Sequence, residues 1–476
     1  MTRNLLRLSL SVCAVLSAAG CKDLSECVVD SDCQGRAASP GQTLFCSDNM
    51  CVVGSPRASL CKEIYPAGSS ANATAVGVLV NTVTGSDQLR LQSVKLAVDE
   101  MNTGLTAAGK PPLALHVCET SATNADMLKS YQVLVNDRQA VAVIGPSGSG
   151  NVSLISAEVI HQGVPIMSWS ASSRTISDLP AAGLFFRTVP SDLLQGPVLA
   201  RQIPPAAVTG NSVGMFVVDD SYGQGMRQAV LGANAAIAPK PSLTYKEGVG
   251  TDEPAAVKSL NDTLGILRAQ AAPQALVTIS NLFSDKVLAG LVGYGTASTP
   301  AMSVIMADGA KSTKVLDLLG VGTPAEQMAM KINLGRVIGT APGVDKLNAN
   351  GIYNGFLAAF GARWPTSDPR TSAFSAYAYD AAYAVGIAIC AAGDVTPARV
   401  SEYLLHLNNF QSVDKVQVGQ SSFLNACNRI AASAGLALQG ATGVVSFTPH
   451  GDREQGLYEK WTIDTANKAF VSTPAM

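Results

Sequence analysis

The chain has 476 residues, with 33 Lys plus Arg against 35 Asp plus Glu and a net charge of −2. This balance provides no concentrated basic surface for nucleic acid. Hydrophobic residues make up 47% and charged residues only 14%, which excludes disorder driven by charge excess and leaves room for two or three domains.

At the start, Arg3 and Arg7 precede the apolar run Leu8–Ala19. That is a basic n-region and a short h-region, so residues 1–20 are predicted to be a signal peptide. The run ends in Leu16-Ser17-Ala18-Ala19-Gly20-Cys21, which resembles the lipobox of bacterial lipoproteins, with Ala18 where that motif usually has Leu. The resemblance implies a diacylated Cys21 as mature N-terminus. The protein would then be exported to the periplasm or cell surface and meet the membrane through its N-terminal lipid only. The alternative is a plain signal peptide cleaved near Ala19. No later stretch offers eighteen uninterrupted apolar residues.

Ten cysteines occur. With Cys13 in the signal and Cys21 at the lipid site, an even set remains in an oxidising compartment. Cys27, Cys33, Cys46 and Cys51 follow the spacing C-x5-C-x12-C-x4-C among Asp, Ser, Asn and Gly residues. Residues 21–60 have too few apolar groups for a core, so disulfides are expected to hold them. Structural zinc is the competing explanation, but it favours closer cysteine pairs. Four cysteines allow three connectivities, and the sequence does not choose among them.

From residue 75 short apolar strands alternate with amphipathic helices. Strands are predicted at Ala75–Val80, Leu113–Cys118, Ala140–Ile144, Val164–Trp169, Val213–Val218, Ala275–Ser280, Ser303–Asp308 and Arg336–Thr340. Helices are predicted at Leu89–Asn102, Met127–Asn136, Val152–His161 and Met226–Ala233. Leu91, Val94, Val98 and Met101 recur at spacings of three and four, one buried helix face. The alternation implies βαβ units and doubly wound sheets, and so much chain predicts two lobes. In such folds ligands bind beyond the carboxyl ends of the strands.

The loops there are informative. Ile144 is followed by Gly145-Pro146-Ser147-Gly148-Ser149-Gly150-Asn151, a glycine-rich strand-to-helix turn suited to a carboxylate or another small anion. Lys and Ser/Thr are missing where a P-loop needs them. Further strand ends carry Ser170-Ala171-Ser172-Ser173, Asp219-Asp220-Ser221-Tyr222-Gly223-Gln224-Gly225 and Asp308-Gly309-Ala310-Lys311-Ser312. Each alone reads as turn or cap chemistry; together they supply hydroxyls, a Tyr and a carboxylate. The histidines (116, 161, 406 and 450) have no HExxH-like spacing, and there is no redox C-x-x-C. The reading is therefore no enzyme, no metal and no cofactor.

Several motifs in order resemble the type I periplasmic binding proteins, in particular the leucine/isoleucine/valine-binding branch serving ABC transporters. They are Val143-Ile144-Gly145-Pro146 with Ser147–Asn151, Gly163-Val164-Pro165-Ile166, Phe186–Asp192 with Gln195-Gly196, Asp220–Gly225, and Gly440–Phe447 with Gly451-Asp452. The similarity spans about residues 75–464. It implies an α/β fold of two Rossmann-like doubly wound lobes joined by three crossing strands, after a small cysteine-rich segment. Lobe one would combine 75–192 with 343–440, and lobe two 193–342 with 441–476. By the same likeness, Ser149 and Gly150 with Ala171 and Ser172 would hold a ligand α-carboxylate. Tyr222 would contact the ligand from lobe two, and Asp308 would pair with its α-ammonium, where that branch usually has Glu. Thr84–Asp87 and Asn281–Phe283 stand where that branch often has an aromatic residue, so an amino acid as a class fits better than a branched aliphatic one. The implied partners are a small-molecule ligand and an ABC transporter permease. A sensory or adhesion receptor built on the same fold is the alternative.

Against this family body, Ser412–Leu438 reads as an insertion. Cys390 and Cys427 are expected to staple it, and Cys61 with Cys118 would then form the remaining pair; free buried thiols are the alternative.

Overall fold

The computed structural model describes residues 44–47, 50–53, 60–69, 72–81, 85–120, 124–180, 182–344 and 351–475. The signal peptide, Cys21, Cys27 and Cys33 lie outside them. The chain divides into two units, Met1–Ser59 and Leu60–Met476. In the first, Leu44–Ser47 and Met50–Val53 pair antiparallel with Cys46 opposite Cys51, and Cys51 is disulfide-bonded.

Strands that are apolar along their whole length need cover on both faces. In the larger unit Val213–Val218 and Ala275–Ile279 are buried at every residue. The first sheet runs in the order Glu63–Tyr65, Leu113–Glu119, Thr74–Val80, Val143–Ile144, Ile166–Ser168, Phe185–Arg187. Its first pairing is antiparallel and the rest are parallel. The second runs Ser242–Tyr245, Val213–Val218, Ala275–Ile279, Ser303–Met306, Val337–Pro342, Tyr458–Asp464, Ala469–Pro474. It is parallel as far as Val337–Pro342, and the last two strands join antiparallel. A small third sheet holds Lys415–Gln417, Ala437–Gly440 and Gly443–Val445.

Each large sheet anchors one lobe. The helix predicted from Leu91, Val94, Val98 and Met101 extends over Gly85–Ala107 with that face buried. It packs against Ser375–Ala392, a helix buried at every residue. Gly386 makes the approach possible, because a Cβ there would collide with Met101 Sδ.

The chain crosses between lobes near Thr188–Ser191, at Pro342-Gly343, and between Gly443–Val445 and Tyr458–Asp464. Buried side chains tie the crossings together. Arg453 Nη1 donates to Thr188 O at 2.9 Å, and its Nη2 to Thr442 O and Val444 O. Tyr377 Oη donates to Gly343 O at 2.6 Å. Asp380 accepts from the N–H groups of Ala441 and Thr442.

Two disulfides are seen in this unit. Cys61–Cys118 ties the start of the unit to the strand Leu113–Glu119, and Cys390–Cys427 joins Ser375–Ala392 to the helix Phe423–Ala432.

The elements depart from the sequence reading where short strands depend on neighbours. Ala140–Ile144 reduces to Val143–Ile144, although Val141 N still donates to Ala75 O. The helix expected to Asn136 is α-helical to Gln132 and then widens, Arg138 N reaching Val133 O in a π-turn. Ser303–Asp308 ends at Met306, and Asp308 opens a short 3₁₀ turn. Ser242–Tyr245 and the C-terminal hairpin have no apolar run to announce them.

Candidate functional site

Both large sheets reverse strand order beside a central strand. The chain runs from Thr74–Val80 to one neighbour and later to the other, and does the same around Val213–Val218. Such a switch opens a crevice at the carboxyl ends. A cleft of about 340 Å³ lies there. Lobe one lines it with Asn81, Asp87, Arg90, Thr120, Ser147, Gly148, Gly150, Asn151 and Leu154, and lobe two with Asp220, Glu247, Asp252, Asn281, Leu282, Gly309, Ser312 and Lys314. Most of these lie just beyond a strand end or in the first turns of the following helix.

The glycine-rich turn is shaped by positive φ. Gly145 has φ 95°, and a Cβ there would strike the Leu79 carbonyl oxygen. Gly148 has φ 83° and precedes the helix Ser149–Gln162 without capping it by a side chain. The first N–H groups of that helix therefore keep their partial positive charge toward the cleft. Asp220 approaches from lobe two: a Cβ on Gly150 would stand 3.5 Å from its Oδ2. Asp220 also caps the helix Ser221–Ala233 through Oδ1, accepting from Gly223 N at 2.8 Å. Burial first, then the charges of Glu247 and Asp219, pushes its carboxyl up to about 6.

The six expected ligand residues are not all in the open cleft. Gly150 lines it, whereas Ser149, Ala171, Ser172, Tyr222 and Asp308 are buried. Ser149 Oγ accepts from Ser173 N at 3.0 Å. Ala171 is held through both backbone groups, its N–H donating to Ser168 Oγ and its carbonyl accepting from Arg187 Nη1. Arg187, wholly buried, also reaches Ser173 O and pairs with Asp452 at 2.6 Å. The structure brings Tyr222 and Asp308 into contact: Tyr222 Oη donates to Asp308 Oδ1 at 2.6 Å, and Gly309 N donates to the same phenol oxygen.

Sequence reasoning passed over Asp192. This residue opens the helix Asp192–Ala200 and its carboxylate is fully buried. Neither of its oxygens nor the adjacent Ser172 hydroxyl makes a hydrogen bond of ordinary geometry. Burial, then the charge of Asp308, then that of Asp220, drives the Asp192 carboxyl upward, against Ser172 and Arg187. Burial raises Asp308 as well, opposed by the Tyr222 hydroxyl and the Gly309 N–H. Tyr222 is pushed up by burial and by both carboxylates. Asp192 lay within a quoted motif, but only tertiary contact places it beside Asp308.

In the cleft proper, Arg90 Nη1 pairs with Asp87 Oδ1 at 2.5 Å and donates to Ser147 Oγ at 3.3 Å. Glu247 accepts from Leu282 N at 2.7 Å and from the N–H groups of Asn281 and Phe283, so it is spent on the start of the next helix. Among the described residues no group of three or more His, Cys, Asp or Glu is arranged to hold a metal ion.

A family model described as "Periplasmic binding protein" matches residues 76–439. The branched-chain amino acid transporter substrate-binding protein of Streptococcus pneumoniae, solved with isoleucine, superposes with a TM-score of 0.59 at 17% identity, covering 84% of this chain and 99% of that one. A leucine-binding protein of Thermotoga maritima gives 0.59 at 14% identity, covering 84% and 98%. An ABC transporter solute-binding protein of R. palustris, solved with benzoate, gives 0.57 at 13%, covering 85% and 97%. These likenesses concern the fold. No curated protein sequence matches the chain.

Proposed function

Because the chain belongs to the periplasmic binding protein family, we propose that it captures an amino acid or related small metabolite between its lobes and delivers it to an ABC transporter permease. The observation that carries this reading is the polar cleft at the facing strand ends of the two lobes. A zwitterion has opposite charges one carbon apart and needs a donor cluster and an acceptor at matching distance. The uncapped start of Ser149–Gln162, with Ser149, Gly150 and the Ala171-Ser172 loop, supplies the first. Asp308 supplies the second, with Tyr222 beside it. Two buried carboxylates, Asp192 and Asp308, repel one another, and an ammonium group between the lobes would relieve both. Attachment through a lipid on Cys21 would keep the protein in the cell envelope.

A thermal-shift screen against the amino acids tests the reading. A ligand at one hundred times its dissociation constant should add about 2.7 kcal/mol of stability. No shift with any amino acid would refute it. Mass spectrometry of the envelope form should find a diacylglyceryl Cys21 as the first residue, and a mature chain starting elsewhere would end the lipid assignment.

A further inference from the structure

We infer that the cleft holds a subsite for a carboxylate on the ligand's side chain, built from Arg90 of lobe one and Lys314 of lobe two. This rests on the cleft being the solute site and narrows its ligand to an acidic amino acid. Three observations support it.

The first is that Arg90 is fixed from behind. Its Nη1 is taken by Asp87 and Ser147, its Nε donates to Ser372 Oγ at 3.3 Å, and its guanidinium lies 5.0 Å from the Phe374 ring centroid. Among the described residues Nη2 makes no hydrogen bond, and Arg90 lines the cleft. A guanidinium held in this way loses little entropy when it binds a carboxylate.

The second is that Lys314, half-buried on the helix Thr313–Asp317, lines the same cleft and makes no ion pair among the described residues. Most of the acids facing these cations are already committed. Asp87 holds Arg90, Glu247 holds the N–H groups at 281–283, Asp220 caps its helix, and Asp252 is exposed. The lining counts two cations, Arg90 and Lys314, against four acids, so a carboxylate is suited by the partners these cations have left open and not by a net positive charge.

The third is composition. Among the described residues no aromatic side chain lines the cleft, and the larger apolar ones are Leu154, Val249 and Leu282. A branched aliphatic group would give no partner to Lys314 or to the open Nη2 of Arg90 on closure, at the cost of desolvating them.

Titration calorimetry of the intact protein with L-glutamate, L-glutamine and L-leucine tests the assignment. Glutamate is expected to bind at least tenfold tighter than the other two. Lys314→Met and Arg90→Gln should each weaken glutamate about tenfold to a hundredfold, the range for a lost bond to a charged group, and leave glutamine within threefold. Lys314 packs into no core, so its variant stays informative if Arg90→Gln folds poorly. Leucine binding tighter than glutamate, or Lys314→Met leaving glutamate within twofold, overturns the subsite and spares the amino-acid reading. No heat with any of the three overturns the subsite, and the amino-acid reading falls with it only if the thermal-shift screen is also blank for every amino acid.

Discussion

The lobes meet in two zones with opposite construction. Around Ser149, Ser172, Asp192, Tyr222 and Asp308 the interface is dry: every one of these residues is buried. A few residues away, around Arg90, Asp220 and Lys314, the same strand ends border a cleft of about 340 Å³. The dry zone concentrates carboxylates whose pKa burial and mutual repulsion push up; the open zone holds Arg90 paired with Asp87 and Asp220 bound to the start of its helix, beside Lys314. An unpaired buried charge is costly, whereas a charge at the edge of water is cheap to keep. Under the proposed function, a ligand gains most affinity in the dry zone and is discriminated in the open one.

The largest expected effect breaks the dry zone. Asp308→Ala should weaken the ligand identified by thermal shift by about 3–5 kcal/mol, the loss for stranding one partner of a buried pair. Calorimetric binding within threefold of wild type would end the ammonium assignment.

Next comes pH. Burial raises the carboxyls of Asp192, Asp220 and Asp308 above their ordinary value. The folded chain thus keeps protons that the unfolded chain has released, and stability falls as pH rises above about 4 and through the raised values. Each proton so held contributes a slope of about 1.4 kcal/mol per pH unit. Denaturant melts of the ligand-free protein from pH 4.5 to 8 should show this decline, and Asp192→Asn should flatten it. An equal slope in the variant would mean that Asp192 does not titrate there.

A smaller effect sharpens the boundary between zones. Ser149→Ala leaves the buried Ser173 N–H without its acceptor and should cost about 1–3 kcal/mol of stability. Unchanged denaturant midpoints would show that this hydroxyl is not needed to hold the Ser170–Ser173 loop.

The smallest effect belongs to the open zone. Gly150→Ala would put a methyl group 3.5 Å from Asp220 Oδ2, ordinary contact, in the first turn of a helix. Stability should change by less than about 1 kcal/mol. A larger loss would show that the lobes close more tightly here than elsewhere in the cleft.

Much of the architecture was legible in the sequence, and for local reasons. Val213–Val218 and Ala275–Ile279 are continuous apolar runs, and a parallel strand covered on both faces has no other way to be written. The helix face Leu91, Val94, Val98, Met101 is a spacing, so it too is visible along the chain. The glycine-rich turn after Ile144 announced an uncapped helix start because Gly145 and Gly148 adopt φ values that other residues avoid. Ser242–Tyr245 was not legible: it is a strand because Val213–Val218 offers it a hydrogen-bonding edge. The C-terminal strand Tyr458–Asp464 buries alternate residues against Val337–Pro342, a partner more than a hundred residues away.

The sequence by itself determined the α/β class, the two-lobed plan and the strand ends at which a ligand would sit, since periodicity and turn chemistry are properties of neighbouring residues. Only the tertiary structure decided which of those strand ends meet. It set Asp192 beside Asp308, separated from it by more than a hundred residues, and put Arg90 and Lys314 on one cleft. Electrostatic coupling depends on distance in space and on the water that folding removes, and neither quantity is written along the chain.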